Sequence, residues 1–341
     1  MAKPSGYQQE TFVPAQETAL QSEENAEAAA NRVRAGADWL FEKGVEQHQS
    51  REFKVALQTF QQALAGYRQV QDLQGEGKSL NSLGLVYYAL GKYDEAIAHS
   101  QLSLAIARQI ADRRTERQAL GNLGNAYRHL NDPVRAIDCK QQSLNVAREI
   151  RDQRGEMAAL NNLGMAYKAL GDCKTAIAYY EQSLTLAQTL QDRQVEAQVL
   201  RNLGNAYHSL ADYAKTVEYY ERLLTIIRRS GDLQVESQIL KNLASVCFTL
   251  GDHRKAITYH QQRLAIARAL QDHQNEEQAL ESLGIIHETI GDPGRAIEYY
   301  EQRLMLAKTT CDQKLEKQAI ATLKTAYCAI GDYVRANLYE F

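Results

Sequence analysis

Four asparagines at one interval, Asn122, Asn162, Asn202 and Asn242, are residues whose type and spacing invite a chemical reading. Asparagine is a mediocre helix former, yet its carboxamide carries both a donor and an acceptor. A row of such groups suits the main chain of an extended peptide, whatever that peptide's side chains are. Asn125 and Asn205 stand three positions beyond two members of the row. Cations cluster in the same stretch, Arg128, Lys168, Arg201 and Lys241, with His129 and His208 beside them and Glu281 and Glu288 following. Charge-assisted hydrogen bonds from these cations are suited to an acidic side chain or a free carboxylate. Two plainer readings stand alongside: the asparagines bond neighbouring helices and fix their stacking, and the charges form an ordinary solvated face. Ala244, Ser245 and Cys247 interrupt the pattern in one copy.

Other chemistry finds little support. GEGKS at 75–79 resembles the tail of a phosphate-binding loop, but the first glycine of that motif falls on Asp72, and the segment lies at a turn between copies. His253 and His260 are seven apart without an acidic setting, and are expected on the surface rather than on a metal. Cys139, Cys173, Cys247, Cys311 and Cys328 are odd in number and form no CxxC pair, which suits a reducing compartment and argues against a disulfide framework or zinc site. The paired tyrosines at 179–180, 219–220 and 299–300 are expected to pack helices rather than stack bases. No catalytic residue, metal or cofactor is therefore assigned. A net charge of −3 offers no global attraction to nucleic acid or an acidic membrane. No apolar run approaches the roughly 18 residues of a membrane span, and the sequence MAKPSGYQQETFVPAQ has no apolar signal core, so a cytoplasmic protein is expected.

The elements that must position these residues repeat every forty positions. Leu83, Leu123, Leu163, Leu203, Leu243, Leu283 and Leu323 form one column, and the next reads Gly84, Gly124, Gly164, Gly204, Ala244, Gly284 and Lys324. Ala96, Ala136, Ala176, Ala256, Ala296 and Ala336 share another with Thr216, and aspartate holds a third from Asp72 to Asp312. Within each copy the apolar residues fall three or four apart, as Leu120, Leu123, Tyr127 and Leu130 do, then resume after a break. Two amphipathic helices, A and B, are thus expected per copy. Gly-Asp pairs at 171–172, 251–252, 291–292 and 331–332 mark the break, one residue accepting a left-handed backbone and the other capping the next helix. Pro133 and Pro293 stand at first helical positions. Glu116, Glu156, Glu196, Glu236, Glu276 and Glu316 fall in first turns of helix A, where the helix dipole favours them. A glycine inside helix A costs about 1 kcal/mol relative to alanine, so Gly124 is expected to admit helix B closely, opposite the small Ala136.

These small residues, the aromatics Tyr87, Tyr127, Tyr167, Tyr207 and Tyr327, the alanine column and Tyr180, Tyr220 and Tyr300 on helix B resemble the tetratricopeptide repeat signature. The forty-residue period is similar to that of kinesin light chains, Leu-Gly-Asn-repeat adaptors and bacterial scaffolds. The resemblance implies an all-α, right-handed superhelical solenoid of antiparallel helix hairpins, about eight repeats long, with helix A lining a concave groove. The repeats are expected at 33–72, 73–112, 113–152, 153–192, 193–232, 233–272, 273–312 and, incomplete, 313–341, after a flexible or loosely docked arm at 1–32. Carried over from the adaptors, partner binding is expected at Asn122, Asn125, Asn162, Asn202, Asn205 and Asn242, and the charge cluster adds Arg128, Lys168, Arg201, His208 and Lys241. The function so implied is a non-enzymatic adaptor holding extended, acidic protein segments. The alternative is a structural assembly element that acts through its ends and convex surface or by self-association, the last helix presenting Val334, Leu338, Tyr339 and Phe341.

Overall fold

The computed structural model describes residues 15–339, with side chains from residue 26 onward, and every regular element among them is an α-helix. The long first helix, α1, spans Ala15–Gln49. The first fourteen residues of the expected arm, and Phe341, lie outside the described residues. A helix then begins every twenty residues: α2 (Phe53–Gln69), α3 (Leu73–Ala89), α4 (Tyr93–Gln109), α5 (Arg113–His129), α6 (Pro133–Glu149) and α7 (Gln153–Ala169). The series continues with α8 (Cys173–Thr189), α9 (Arg193–Ser209), α10 (Tyr213–Ser230), α11 (Leu233–Thr249), α12 (His253–Ala269), α13 (His273–Thr289), α14 (Pro293–Thr309), α15 (Gln313–Ala329) and α16 (Tyr333–Asn337). Odd-numbered helices are helix A and even-numbered helices helix B. By its internal contacts the chain divides into two compact units, Met1–Ala166 and Tyr167–Phe341, the division falling inside α7. Within the first unit α1 to α6 each pack on the next, and α8 to α16 do so in the second.

Why the helices stop every twenty residues is a matter of local chemistry. The residue before each capping aspartate has a left-handed backbone, glycine at Gly171 (φ 84°) and Gly251 (φ 78°), but alanine at Ala111 and Ala211 (both φ 56°). For a residue with a Cβ that conformation costs roughly 1–2 kcal/mol. Hydrogen bonds on both sides offset it. The Asp212 N–H donates to Tyr207 O at 3.0 Å, closing α9 five residues back. The Asp212 carboxylate accepts the Lys215 N–H at 3.1 Å, capping α10. Aspartates 112, 132, 172, 192, 232, 252, 272, 292 and 332 cap their helices in the same way, three residues ahead. Glu52 and Lys92 stand at the same position without a side-chain cap.

Glycines inside helix A are explained by close approach, with one correction. A Cβ on Gly204 would lie 2.7 Å from the Tyr220 ring, on Gly284 2.2 Å from the Tyr300 ring, and on Gly124 2.7 Å from Lys140 Cγ. The nearest neighbour is therefore the residue sixteen positions on, and the expected Ala136 contributes only its carbonyl, at 3.2 Å. Helix B inserts a side chain where helix A has none.

The glutamates of the first turns do more than face a dipole. Arg68 reaches Glu76 at 2.7 Å, Arg108 Glu116 at 2.9 Å, Arg148 Glu156 at 2.7 Å, Arg228 Glu236 at 2.8 Å and Arg268 Glu276 at 2.7 Å. Each pair ties the end of a helix B to the start of the next helix A, and Gln188 substitutes with a 3.1 Å bond to Glu196. The arginines are about half exposed, so each pair contributes at most about 1 kcal/mol. Their second function is geometric: Arg108, Arg228 and Arg268 also donate to Gln142, Gln262 and Gln302 on the following helix B.

Two substitutions separate the opposing forces at one turn. Ala211→Gly relieves the left-handed strain and should stabilise the chain by roughly 0.5–1 kcal/mol after the added chain entropy is counted. Asp212→Ala removes the cap and should cost about 1 kcal/mol. Thermal unfolding followed by circular dichroism reads both signs.

Candidate functional site

In the first unit the expected binding residues are largely engaged inside the fold. Asn122 on α5 donates from Nδ2 to the Asn81 backbone oxygen at 3.3 Å and to Asn81 Oδ1 at 2.9 Å, tying α5 to α3. Asn125 Oδ1 accepts from Lys140 Nζ at 2.7 Å. Arg128 is half-buried with its guanidinium 3.0 Å from the His129 ring, and Asn162 is half-buried on α7. His129 lies flat on Tyr93, centroids 4.8 Å apart. Burial holds its imidazole below the ordinary value, assisted by Arg128 and Lys140.

Lys140 itself escaped the sequence reading. It is 1% exposed and occupies the helix-B position that Tyr220 fills in the second unit. Its bond to Asn125 is matched there by Tyr220 Oη donating to Asn205 Oδ1 at 2.6 Å. Burial pushes the ammonium down to about 7, with Arg128 adding to the effect.

In the second unit three adjoining cavities gather most of the remaining candidates. One of about 230 Å³ is lined by Asn205, His208, Tyr220, Asn242 and Ser245. Another of about 290 Å³ shares Asn205, Tyr220 and Asn242 and adds Arg201 and Gln238. The third, about 310 Å³, shares Ser245 and adds Lys241, Phe248, His260 and Arg263. Asn205 and Asn242 both hydrogen-bond the Tyr220 hydroxyl, linking α9, α10 and α11, and burial raises that hydroxyl's pKa. Asn242 Oδ1 also accepts from Gln238 at 3.1 Å. Arg201 is exposed, and His208 lies edge-on to Tyr213 at 5.6 Å. Lys168 and Asn202, both half-buried, line none of the three cavities; burial lowers the Lys168 pKa.

Several expectations change or gain detail on this surface. His260, expected on the surface, is 6% exposed, and burial together with Arg263 and Lys241 pushes it down to about 4. It stands in the inserting register of helix B, sixteen residues after Ala244. GEGKS lies within α3 as helix. Tyr179 stacks on Tyr167 at 5.4 Å and Tyr219 on Tyr207 at 5.3 Å, while Tyr180 and Tyr220 are buried, so the tyrosine pairs pack helices. Arg263, almost fully buried among polar neighbours, was not singled out by its sequence. The signal was available: its column reads Ser103, Ser143, Ser183, Leu223, Arg263 and Arg303. Among the described residues no group of three or more His, Cys, Asp or Glu is placed to hold a metal ion, and no helix is long and apolar enough to cross a membrane.

Windows 75–149, 115–189, 155–229, 193–269 and 235–309 each match the tetratricopeptide repeat family, and the chain belongs to that family. A signal transduction ATPase with numerous domains and a tetratricopeptide repeat sensor, from Pyrococcus horikoshii, shares the fold at a TM-score of 0.63 and 15% identity. The match covers 89% of this chain and 46% of that one, so this chain spans just under half of its length. BtubC (BKLC) from P. vanneervenii aligns at a TM-score of 0.53 and 21% identity, over 71% of this chain and 92% of that one. A Rap protein complexed with Competence and Sporulation Factor aligns at 0.52 and 18%, over 75% and 76%. A search of curated proteins finds no match.

Lys140 makes a pH prediction with a definite sign. Its folded value, about 7, lies below the ordinary 10.5, so between those values the unfolded chain holds more protons and stability rises with pH. Lys140→Tyr recreates the Asn205–Tyr220 pairing. It should remove a rise on the order of 2 kcal/mol between pH 7 and 9.5, read by urea denaturation at each pH.

Proposed function

We propose that the chain is a non-enzymatic, cytoplasmic adaptor that holds extended segments of partner proteins on its helix-A surface, with a preference for acidic segments. The observation that supports this best is the run of three adjoining cavities in the second unit, bordered by Arg201, Asn205, His208, Lys241 and Asn242. Carboxamides there are held in fixed orientation by Tyr220, and cations stand at the rim. A preoriented surface loses less entropy on binding than a floppy one. Asn122, Asn125, Arg128 and Asn162 give the first unit a similar set, and Lys168 and Asn202 extend it in the second. A Rap protein of this fold has been crystallised with a bound factor, which supports ligand capture as a use of such repeats.

A random peptide library displayed on phage tests the reading directly. Selection on the whole chain should enrich segments rich in Asp and Glu. Reversing Arg128, Lys168, Arg201 and Lys241 to glutamate should weaken binding of the selected peptides at least tenfold, with helicity unchanged by circular dichroism. Undiminished binding by that variant overturns the proposal.

A second reading draws on a different observation. Val334 on α16 is 80% exposed and Leu338, just after it, 77%, while Tyr339 stacks on Tyr327 at 6.0 Å. Exposed apolar side chains of this kind support assembly with a partner or a second copy. Analytical ultracentrifugation should then show a concentration-dependent dimer that Val334→Ser with Leu338→Ser abolishes; a strict monomer at all concentrations removes self-association.

A further inference from the structure

Two arginines occupy the same position in successive repeats of the second unit, Arg263 on α12 and Arg303 on α14. Both are buried, at 1% and 4% exposure. Arg303 is matched by carboxylates: Nε donates to Glu277 at 2.7 Å, and Nη2 lies 3.0 Å from Glu281. Forty residues earlier the corresponding positions are Ser237 and Lys241. A hydroxyl and another cation thus stand at the two repeat positions that supply carboxylates to Arg303.

The groups that Arg263 hydrogen-bonds are neutral, and the carboxylates of Asp272 and Glu277 act on it only through space. Its Nη2 donates to Asn275 Oδ1 at 2.6 Å and to Gln278 Oε1 at 2.9 Å, and its buried Nε has no hydrogen-bond partner among the described residues. Lys241 Nζ donates to the same Gln278 Oε1 at 3.3 Å. Two cations converge on one amide oxygen. A second buried nitrogen, His260 Nδ1, is likewise unpartnered. Arg263, Lys241, His260 and Gln278 all line the 310 Å³ cavity. Glu281 also lines it, but its carboxylate is committed to Arg303.

A buried cation with no directly bonded anion is costly, and two cations sharing one neutral acceptor repel. A carboxylate at that point relieves both. It offers two charged oxygens to a guanidinium fork and an ammonium, the geometry for which arginine is best suited. We propose that this cavity is a carboxylate-binding site, with Arg263 and Lys241 as its cationic groups and His260 as a further donor. The anion comes either from an acidic residue of a held segment or from a small free carboxylate. The site goes beyond the peptide reading, because a free carboxylate satisfies it without any peptide.

Gln278→Glu is the decisive variant, since it supplies the missing carboxylate from within the chain. At constant ionic strength, succinate should raise the melting temperature of the whole chain and succinamide should not, or a glutamate-bearing library peptide should bind at least tenfold more tightly than its glutamine counterpart. Succinate alone identifies a small-molecule source; the peptide alone identifies a held segment. In Gln278→Glu either response should fall at least tenfold while the variant itself melts above the wild type. Gain of stability with loss of ligand cannot come from misfolding. Arg201→Glu, in the neighbouring cavity, should weaken peptides but leave the succinate response intact, which separates failure of this site from failure of the peptide surface. No response to either carboxylate in the wild type, or an unaltered response in Gln278→Glu, overturns the proposal.

Discussion

The contact on which the repeat depends is the insertion of one helix-B side chain into the gap left by a glycine of helix A. At Gly204 the gap receives Tyr220, at Gly284 Tyr300, at Gly124 Lys140. Because a Cβ there would sit under 3 Å from its neighbour, the two helices can pair in only one register. That register decides which residues of helix A face outward, and so where the asparagines and cations stand. A glycine in a helix is locally unfavourable; its recurrence is intelligible only through the side chain it admits.

Turns and caps were the legible part of this fold. Gly251 followed by Asp252 stops one helix and starts another through bonds within a few residues, and the chemistry is written in the dipeptide itself. The Arg228–Glu236 tie was half legible: Glu236 reads as a first-turn acid, while its arginine lies across a turn, in a helix whose phase must be known first. His260 shows where local reading ends. Its neighbours in sequence, Tyr259 and Gln261, say nothing of burial, and only the column with Tyr180, Tyr220 and Tyr300 places it inward. The asparagines illustrate a different limit. A carboxamide that can hold a ligand can equally hold the next helix, and Asn122, Asn125, Asn205 and Asn242 each make a bond within the fold.

The inserted position also varies between repeats. Ser100, Lys140, Tyr220, His260 and Tyr300 occupy it, ranging from a small hydroxyl through a cation to an aromatic ring. The backbone tolerates this because helix A supplies a glycine or, opposite His260, the small Ala244, and the capped turns hold the helices independently of what fills the gap. Variation is therefore cheap in topology and expensive only in local energy. Lys140 pays in desolvation, which is why its ammonium sits near 7.

Arg263 and Arg303 extend that argument from packing to charge. The two share a position and a degree of burial, so the scaffold alone cannot account for direct carboxylate partners on one and only amide oxygens bonded to the other, with Asp272 and Glu277 acting on Arg263 through space. If burial of an arginine were needed merely to fill space, leucine would serve, as Leu223 does at the equivalent place, with 0% exposure and no desolvation of charge. A guanidinium retained there without a directly bonded anion leaves part of its interaction energy unspent, and a ligand carboxylate is the chemical group that would complete it.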